Sequence, residues 1–264
     1  FDKKEISREE LAHTEDAVTK LLISELSKCG ISIIGDGGMR RDSVYDITRN
    51  IDGCGGFKQL TRIPKTNHFH RQPEALFPLA RKAPLLGRDR VFAKEHIKKP
   101  YALCLPGPYT TALQTKNCDG VGRLKLAYAY AKILNEEIRF LLKDGALFVR
   151  VEEPSMLDEP ENAILFRSIL SHLTSGIDPS RIALATWFDS IGQWYDYFNL
   201  PFGIFFVDFV EERENVEALR NFPAKKILIA GILDARHPYE EESKDLALLV
   251  SEIEKYVPRE RLLL

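Results

Sequence analysis

The residues best equipped for chemistry in this chain stand at the ends of short apolar runs. Glu152-Glu153-Pro154 follows Leu147 to Val151, and Thr186-Trp187-Phe188-Asp189 closes the run from Ile182. Asp208 follows Ile204 to Val207, and Asp234-Ala235-Arg236 lies just past Lys226 to Ala230. Gly35-Asp36 and Pro106-Gly107-Pro108-Tyr109-Thr110 hold the same kind of position. The set is acidic and aromatic, with no His, no Cys and no nucleophile–base pair. Such a rim can bind a cation, an amine or a protonated heterocycle, or supply general acids. Glu152, Trp187, Asp208 and Asp234 are its candidate members. Glu152 and Glu153 are neighbours, so on a strand they point to opposite faces. At most one faces a site, and a cap or an ion pair is the expected fate of the other.

A second group is basic. Arg40-Arg41, Arg49, Lys58, Arg62, Lys65 and Arg71 crowd into one segment of an otherwise slightly acidic chain. Guanidinium grips carboxylate or phosphate in two-pronged fashion, so the segment reads as a clamp for a multiply charged anion or as a solvated basic loop. His68-Phe69-His70 places both imidazoles on one face of an extended segment, half of a metal site. No third ligand stands nearby, and polar loop histidines are the reading taken. No metal site is assigned to this chain.

These residues need a scaffold, and from Tyr101 onward it is legible. Strands at Tyr101–Leu105, Leu147–Val151, Ile182–Thr186, Ile204–Val207, Lys226–Ala230 and Arg261–Leu264 alternate with helices. The helices are expected at Val121–Lys143, Pro160–Thr174, Ser190–Phe198, Glu211–Asn221 and Glu240–Tyr256. Strict alternation means a parallel sheet with helical crossovers. Upstream, a Ser7-x-x-Glu10 capping box opens a helix that ends at Gly30, and Ile31–Ile34 reads as a further strand. An eighth strand before Phe1 would close a (βα)8 TIM-type barrel. The expectation is therefore one barrel domain over residues 1–264, with its first strand and last helix missing from this chain. The competitor, an open doubly wound sheet, calls for a Gly-x-Gly-x-x-Gly turn leading into a helix. Gly35-Asp36-Gly37-Gly38 does not supply it. The segment from about 35 to 100 reads as an irregular basic insertion, with a helix at Gln72 to Lys82.

Composition bounds the rest. Hydrophobic residues make up 44% of 264 and charged ones 29%, enough for a sizeable core. The net charge of -2 argues against nucleic acid as a partner. No apolar run approaches a membrane span and no signal peptide opens the chain. Cys29, Cys54, Cys104 and Cys118 lie far apart, as free thiols of a reducing compartment do, so a cytoplasmic location is expected.

Several segments together resemble the cobalamin-independent methionine synthase family. They are Gly107-Pro108-Tyr109-Thr110, Glu152-Glu153-Pro154 and Gly231-Ile232-Leu233-Asp234. The family's enzymes carry two related barrels, a carboxyl-terminal one with zinc and homocysteine and an amino-terminal one without metal. Where the zinc barrel has a His-x-Cys pair, this chain has Ala185 and Trp187. Where it has a further Glu ligand stands Asp208, and its homocysteine-binding Gly-Glu falls on Gly37-Gly38. Ala185-Thr186-Trp187-Phe188, Ser43-Val44-Tyr45-Asp46 and the Thr61-Arg62…Thr66-Asn67-His68-Phe69-His70…Pro73-Glu74 element are instead similar to the amino-terminal barrel. The resemblance implies a methyltransferase subunit or domain that passes a methyl group from a methylated folate or pterin to homocysteine. It implies that Arg62, Lys65 and Asn67 bind the donor's anionic tail. It implies no cofactor in this chain and zinc in a partner barrel of the carboxyl-terminal type. Other readings stay open: a zinc- or corrinoid-linked methyltransferase acting alone, a uroporphyrinogen-decarboxylase-like enzyme, and a non-catalytic scaffold subunit. Metal analysis, porphyrin absorbance and donor calorimetry separate them.

Overall fold

The computed structural model describes residues 5–234, 236 and 239–264. Helix α1 (Arg8–Lys28) starts at the capping box: the Glu10 amide donates to Ser7 Oγ at 3.1 Å, and the Ser7 amide to the Glu10 carboxylate at 2.7 Å. The strand expected at Ile31–Ile34 is reduced to one parallel bridge, Ile34 to Tyr101. Gly37 and Gly38, both at positive φ, turn the chain away before a ladder develops.

The segment expected to be irregular is organised. Strands β1 (Ile51–Arg62) and β2 (Phe69–Arg81) form a long antiparallel hairpin, followed by helix α2 (Gly87–His96). The helix expected at Gln72–Lys82 is strand β2. Pro73 and Pro78 cannot donate the amides a helix needs. Pro73, Ala75, Phe77 and Leu79 turn inward with a period of two. In β1, glycines at 53, 55 and 56 and two register shifts leave no such period.

Next come strand β3 (Ala102–Pro106), helix α3 (Pro108–Gln114), the short strand β4 (Lys116–Asn117), which extends the hairpin, and helix α4 (Arg123–Asp144). Strand β5 (Phe148–Glu152), helix α5 (Ala163–Thr174), strand β6 (Ile182–Thr186) and strand β7 (Ile204–Asp208) follow. Helix α6 (Asn215–Ala218), strand β8 (Ile227–Gly231), helix α7 (Ser243–Glu254) and strand β9 (Leu262–Leu263) complete the order. Strands β3-β5-β6-β7-β8-β9 form one six-stranded parallel sheet, as the alternation predicts.

Two expected helices shrink. Residues 190–198 form short 3-10 turns: Ser190 caps the first by taking the Gly192 amide, and buried Asn215 takes the Ile191 amide at 2.9 Å. The helix expected over Glu211–Asn221 is a single turn, α6, continued by a 3-10 turn.

The outer face of the sheet packs on the helices in the main core. The inner face carries a smaller apolar cluster: Phe148, Ala183 and Ile204, backed by Ile33, Ala102, Ile227 and Ile229. No ladder among the described residues joins β9 to Ile31–Ile34, so the sheet is seen from β3 to β9 and not as a closed barrel. A cavity of about 800 Å³ lies between these two margins.

Candidate functional site

Strand alternation places Phe148, Arg150 and Glu152 of β5 on the inner face. The β3–β5 register sets Cys104 beside Arg150. Arg150 Nη2 donates to Glu152 Oε1 at 2.8 Å, the Cys104 thiol donates to the same oxygen at 2.6 Å, and Arg150 Nε reaches Cys104 Sγ at 3.4 Å. The guanidinium also lies 5.6 Å from the centre of the Phe206 ring. Burial, helped by the Glu152 charge, pushes the Cys104 thiol up to about 12. It is a neutral donor and not a nucleophile. This network lies on the cavity wall, where Gly35–Gly38 and Ser43 also stand.

Glu153 turns the other way. Fully buried, its carboxylate accepts the Tyr109 amide at 2.9 Å, the Thr110 amide at 2.6 Å and the Thr110 hydroxyl. It caps α3, where free amides and the helix dipole favour an anion. The two adjacent glutamates thus divide between site and scaffold.

The other rim candidates are engaged. Asp208 accepts from the amides of Phe188 (3.1 Å), Val210 (2.8 Å) and Glu211 (3.2 Å), which pins the turn after β6 while Phe188 takes a left-handed φ of 69°. Trp187 is half-buried, edge-on to Phe188 at 6.4 Å. Asp234 pairs with Arg236 at 2.8 Å, and Arg236 also pairs with Glu211 and lies 5.4 Å from the Phe188 ring. Ala235 lies outside the described residues.

The hairpin carries the predicted tail-binding residues. Arg62 folds back on its own turn, donating to the Thr66 carbonyl at 2.5 Å and to Asn67 Oδ1 at 2.9 Å. Lys65, at the tip, bridges Asp158 (2.8 Å) and Asp189, which follow β5 and β6. The hairpin therefore reaches the rim, and its lysine faces carboxylates of the chain itself. Replacing Lys65 by Met should cost less than about 1 kcal/mol of global stability, because the pairs are partly exposed. It should speed limited proteolysis and amide exchange between Leu60 and Phe69. Unchanged exchange there would show that the contact holds nothing.

Most of the basic segment is neutralised internally. Arg40 stacks on Phe92 at 3.4 Å and pairs with Asp16 at 2.9 Å; Arg41 pairs with Asp89 at 3.0 Å; Arg49 pairs with Asp46 at 2.9 Å. His70 is buried, with Nε2 bonded to Gln114 at 2.9 Å and its ring against Tyr45, while His68 is exposed on the turn. Among the described residues no group of three His, Cys, Asp or Glu side chains is placed to hold a metal ion. No helix among them is long and apolar enough to cross a membrane.

Sequence reading missed Arg150, Cys104 and Asp158. The signal for Arg150 was present, since it stands two residues before Glu152 on the same strand face. Cys104 needed the register between strands.

The sequence profile of the cobalamin-independent synthase N-terminal domain matches residues 65–258, well over half of the chain. The chain belongs to that family. The chain is 28% identical over 256 residues to a methionine synthase of Thermococcus kodakarensis, covering 91% of this chain and 72% of the relative. It is 29% identical over 238 residues to a 5-methyltetrahydropteroyltriglutamate–homocysteine methyltransferase of Listeria monocytogenes, covering 84% of this chain and only 30% of that protein. The chain thus spans less than a third of the bacterial relative's length. Among solved structures, a B12-independent methionine synthase of Shewanella in complex with selenomethionine superposes with a TM-score of 0.86 at 20% identity, covering 98% of this chain and 82% of that one. At that identity the likeness shows the fold. Arg150, Glu152 and Cys104 lie within the matched segment, whereas strand β1 of the hairpin precedes it.

Proposed function

We propose that this chain is the donor-binding barrel of a methyl-transfer system in which a methylated folate or pterin gives its methyl group to homocysteine. The observation that carries the reading is the match to the amino-terminal domain of the family over residues 65–258. Ala185 and Trp187 at the end of β6 support it, being no substitute for sulfur or imidazole ligands.

The chemistry assigns the labour. A thiol attacks as thiolate, and zinc stabilises that anion. The donor nitrogen must be protonated to leave. In this reading zinc and homocysteine belong to a separate carboxyl-terminal-type barrel. This chain holds the donor and shields the reacting centre from water in the cytoplasm.

The barrel itself is part of the proposal. Leu262–Leu263 and Ile31–Ile34 flank one cavity, and a parallel strand between them closes the cylinder. The donor's carboxylate tail lies at the hairpin tip. Arg62 offers it a guanidinium edge, Asn67 an amide, and Lys65 an ammonium once it leaves Asp158 and Asp189.

The test is a methyl-transfer assay with several donors, with and without a zinc-bearing barrel. Turnover is expected only with both chains present. Arg62→Ala should weaken donor binding about tenfold, the worth of one charge-assisted hydrogen bond. Turnover by this chain alone with bound zinc, or donor affinity indifferent to Arg62, would sink the reading.

A further inference from the structure

We propose that the hairpin tip is a self-masking flap: Asp158 and Asp189 hold Lys65 as an anionic ligand would, and residues 60–69 lift from the rim when that contact breaks. The flap stands on the geometry of the hairpin, and only the ligand that displaces it rests on the tail-binding reading.

The hairpin has a fixed root and a lightly held tip. At the root, Arg81 is bound to fully buried Glu137, Cys54 Sγ lies 3.4 Å from the Tyr130 hydroxyl, and β4 pairs with β2 at Glu74 and Ala75. A register break between Gly56 and Leu60 divides root from tip. There Gly56 and Phe57 both take left-handed φ, 78° and 51°, and Phe57, Lys58 and Gln59 have no partners in the ladder. On the facing strand, close to the break, His70 is buried and bonded to Gln114 at 2.9 Å. Slack on one strand thus lies across from a pinned residue on the other. A few residues that absorb the backbone change, beside a fixed pivot, make a hinge.

Beyond the hinge three ladder pairs remain, Leu60–Arg71, Thr61–His70 and Arg62–Phe69, and Leu60 and Phe69 are exposed. Arg62 bonds to Thr66 and Asn67, and the Ile63 amide to the His68 carbonyl, so the tip is tied up within itself. Among the described residues, the side chains of the tip make their polar contacts with the rest of the chain through Lys65, on Asp158 and Asp189. All three side chains are 34–41% exposed, so the contact is weak enough to open reversibly. Charge gives this latch its direction. One ammonium faces two carboxylates, and the closed tip is net negative where it meets the rim. A carboxylate ligand that reaches Lys65 must displace both acids and then lie beside them. The closed tip therefore resists the class of ligand that its own lysine attracts.

Pulsed EPR on the full chain reads the flap. Nitroxides on His68→Cys at the tip and Glu161→Cys on the loop after β5, in a background with the exposed Cys29 and Cys118 changed to serine, span tip and rim. One short distance is expected with the latch intact. Lys65→Met, and Asp158→Asn with Asp189→Asn, should each add a longer population. The triple variant should match either, because all three changes break one contact. An unchanged distribution in these variants overturns the flap. Faster amide exchange over Glu74–Arg81 in them overturns it too, since the whole hairpin would then have loosened. Calorimetry with triglutamate reads the masking. Asp158→Asn with Asp189→Asn should bind it about threefold or more tightly than the native chain, in keeping with the worth of exposed ion pairs. Equal or weaker binding overturns the masking. If neither protein binds triglutamate, the tail-binding reading falls and the masking with it, while the EPR distances still decide the flap.

Discussion

Replacing Glu153 by alanine is expected to cost about 3 kcal/mol of folding stability at pH 5, the penalty for stripping a buried acceptor from several donors at once. The Tyr109 and Thr110 amides and the Thr110 hydroxyl all lose their partner inside the protein. Gly107 compounds the dependence, because a methyl group there would overlap the Glu153 carboxylate. Burial pushes the Glu153 carboxyl from its ordinary 4.5 up to about 7, against the pull of those hydrogen bonds. Between these two values the native state holds a proton that the unfolded chain has released. The stability linked to this group is thus fully present below pH 4.5 and is lost as pH rises toward 7, by about 3 kcal/mol in all. Urea midpoints of the wild type and Glu153→Ala, compared at pH 5 and pH 7.5, read this directly. The wild type should lose more stability than the variant over that interval. Parallel losses in the two proteins would show that the folded state does not raise the Glu153 carboxyl above its ordinary value.

The second large effect concerns the root of the hairpin. Glu137 on α4 is fully buried and receives Arg81 Nε at 2.8 Å, Arg81 Nη2 at 2.6 Å and the Leu86 amide at 3.1 Å. These bonds tie the end of β2 and the start of α2 to the helix layer. Arg81→Met leaves a carboxylate in the interior with one amide for company, and about 3 kcal/mol should be lost. The double variant Arg81→Met with Glu137→Leu should regain more than about 1 kcal/mol of that, since both charges are then gone, although the Leu86 amide stays unpaired. Denaturant titration of the four proteins gives the coupling, and strictly additive losses would refute it. Amide exchange in β1 and β2 should rise in the single variant, because the hairpin would lose its anchor on α4.

The sheet was readable because its signals are local. Apolar runs such as Ile182–Ala185 are buried on both faces, and turn residues after them mark the ends, so strands β3 and β5 to β9 emerge from spacing. The hairpin was not readable. Its strands hold Pro73, Pro78 and a run of glycines, and they are stabilised by pairing with each other and by Arg81 on Glu137, contacts that span 56 residues in sequence. The turns at 190–198 likewise depend on a distant partner, since buried Asn215, 24 residues on, holds the Ile191 amide.

The site divides along the same line. That one of Glu152 and Glu153 faces inward and the other serves as scaffold follows from strand geometry alone, because adjacent side chains on a strand oppose each other. Which one does which was decided by α3, whose free amides are neutralised best by the acid nearest its start. That Asp208 holds a turn, and that Lys65 looks at Asp158 and Asp189, depends on loops brought together only when the sheet forms. Residue order determined the alternating architecture, the family and the absence of His and Cys from the end of β6, because period and identity are properties of the chain. The neighbours of each charge were settled by tertiary structure, because the partner that satisfies a buried or rim carboxylate comes from a distant segment whose approach no local pattern encodes.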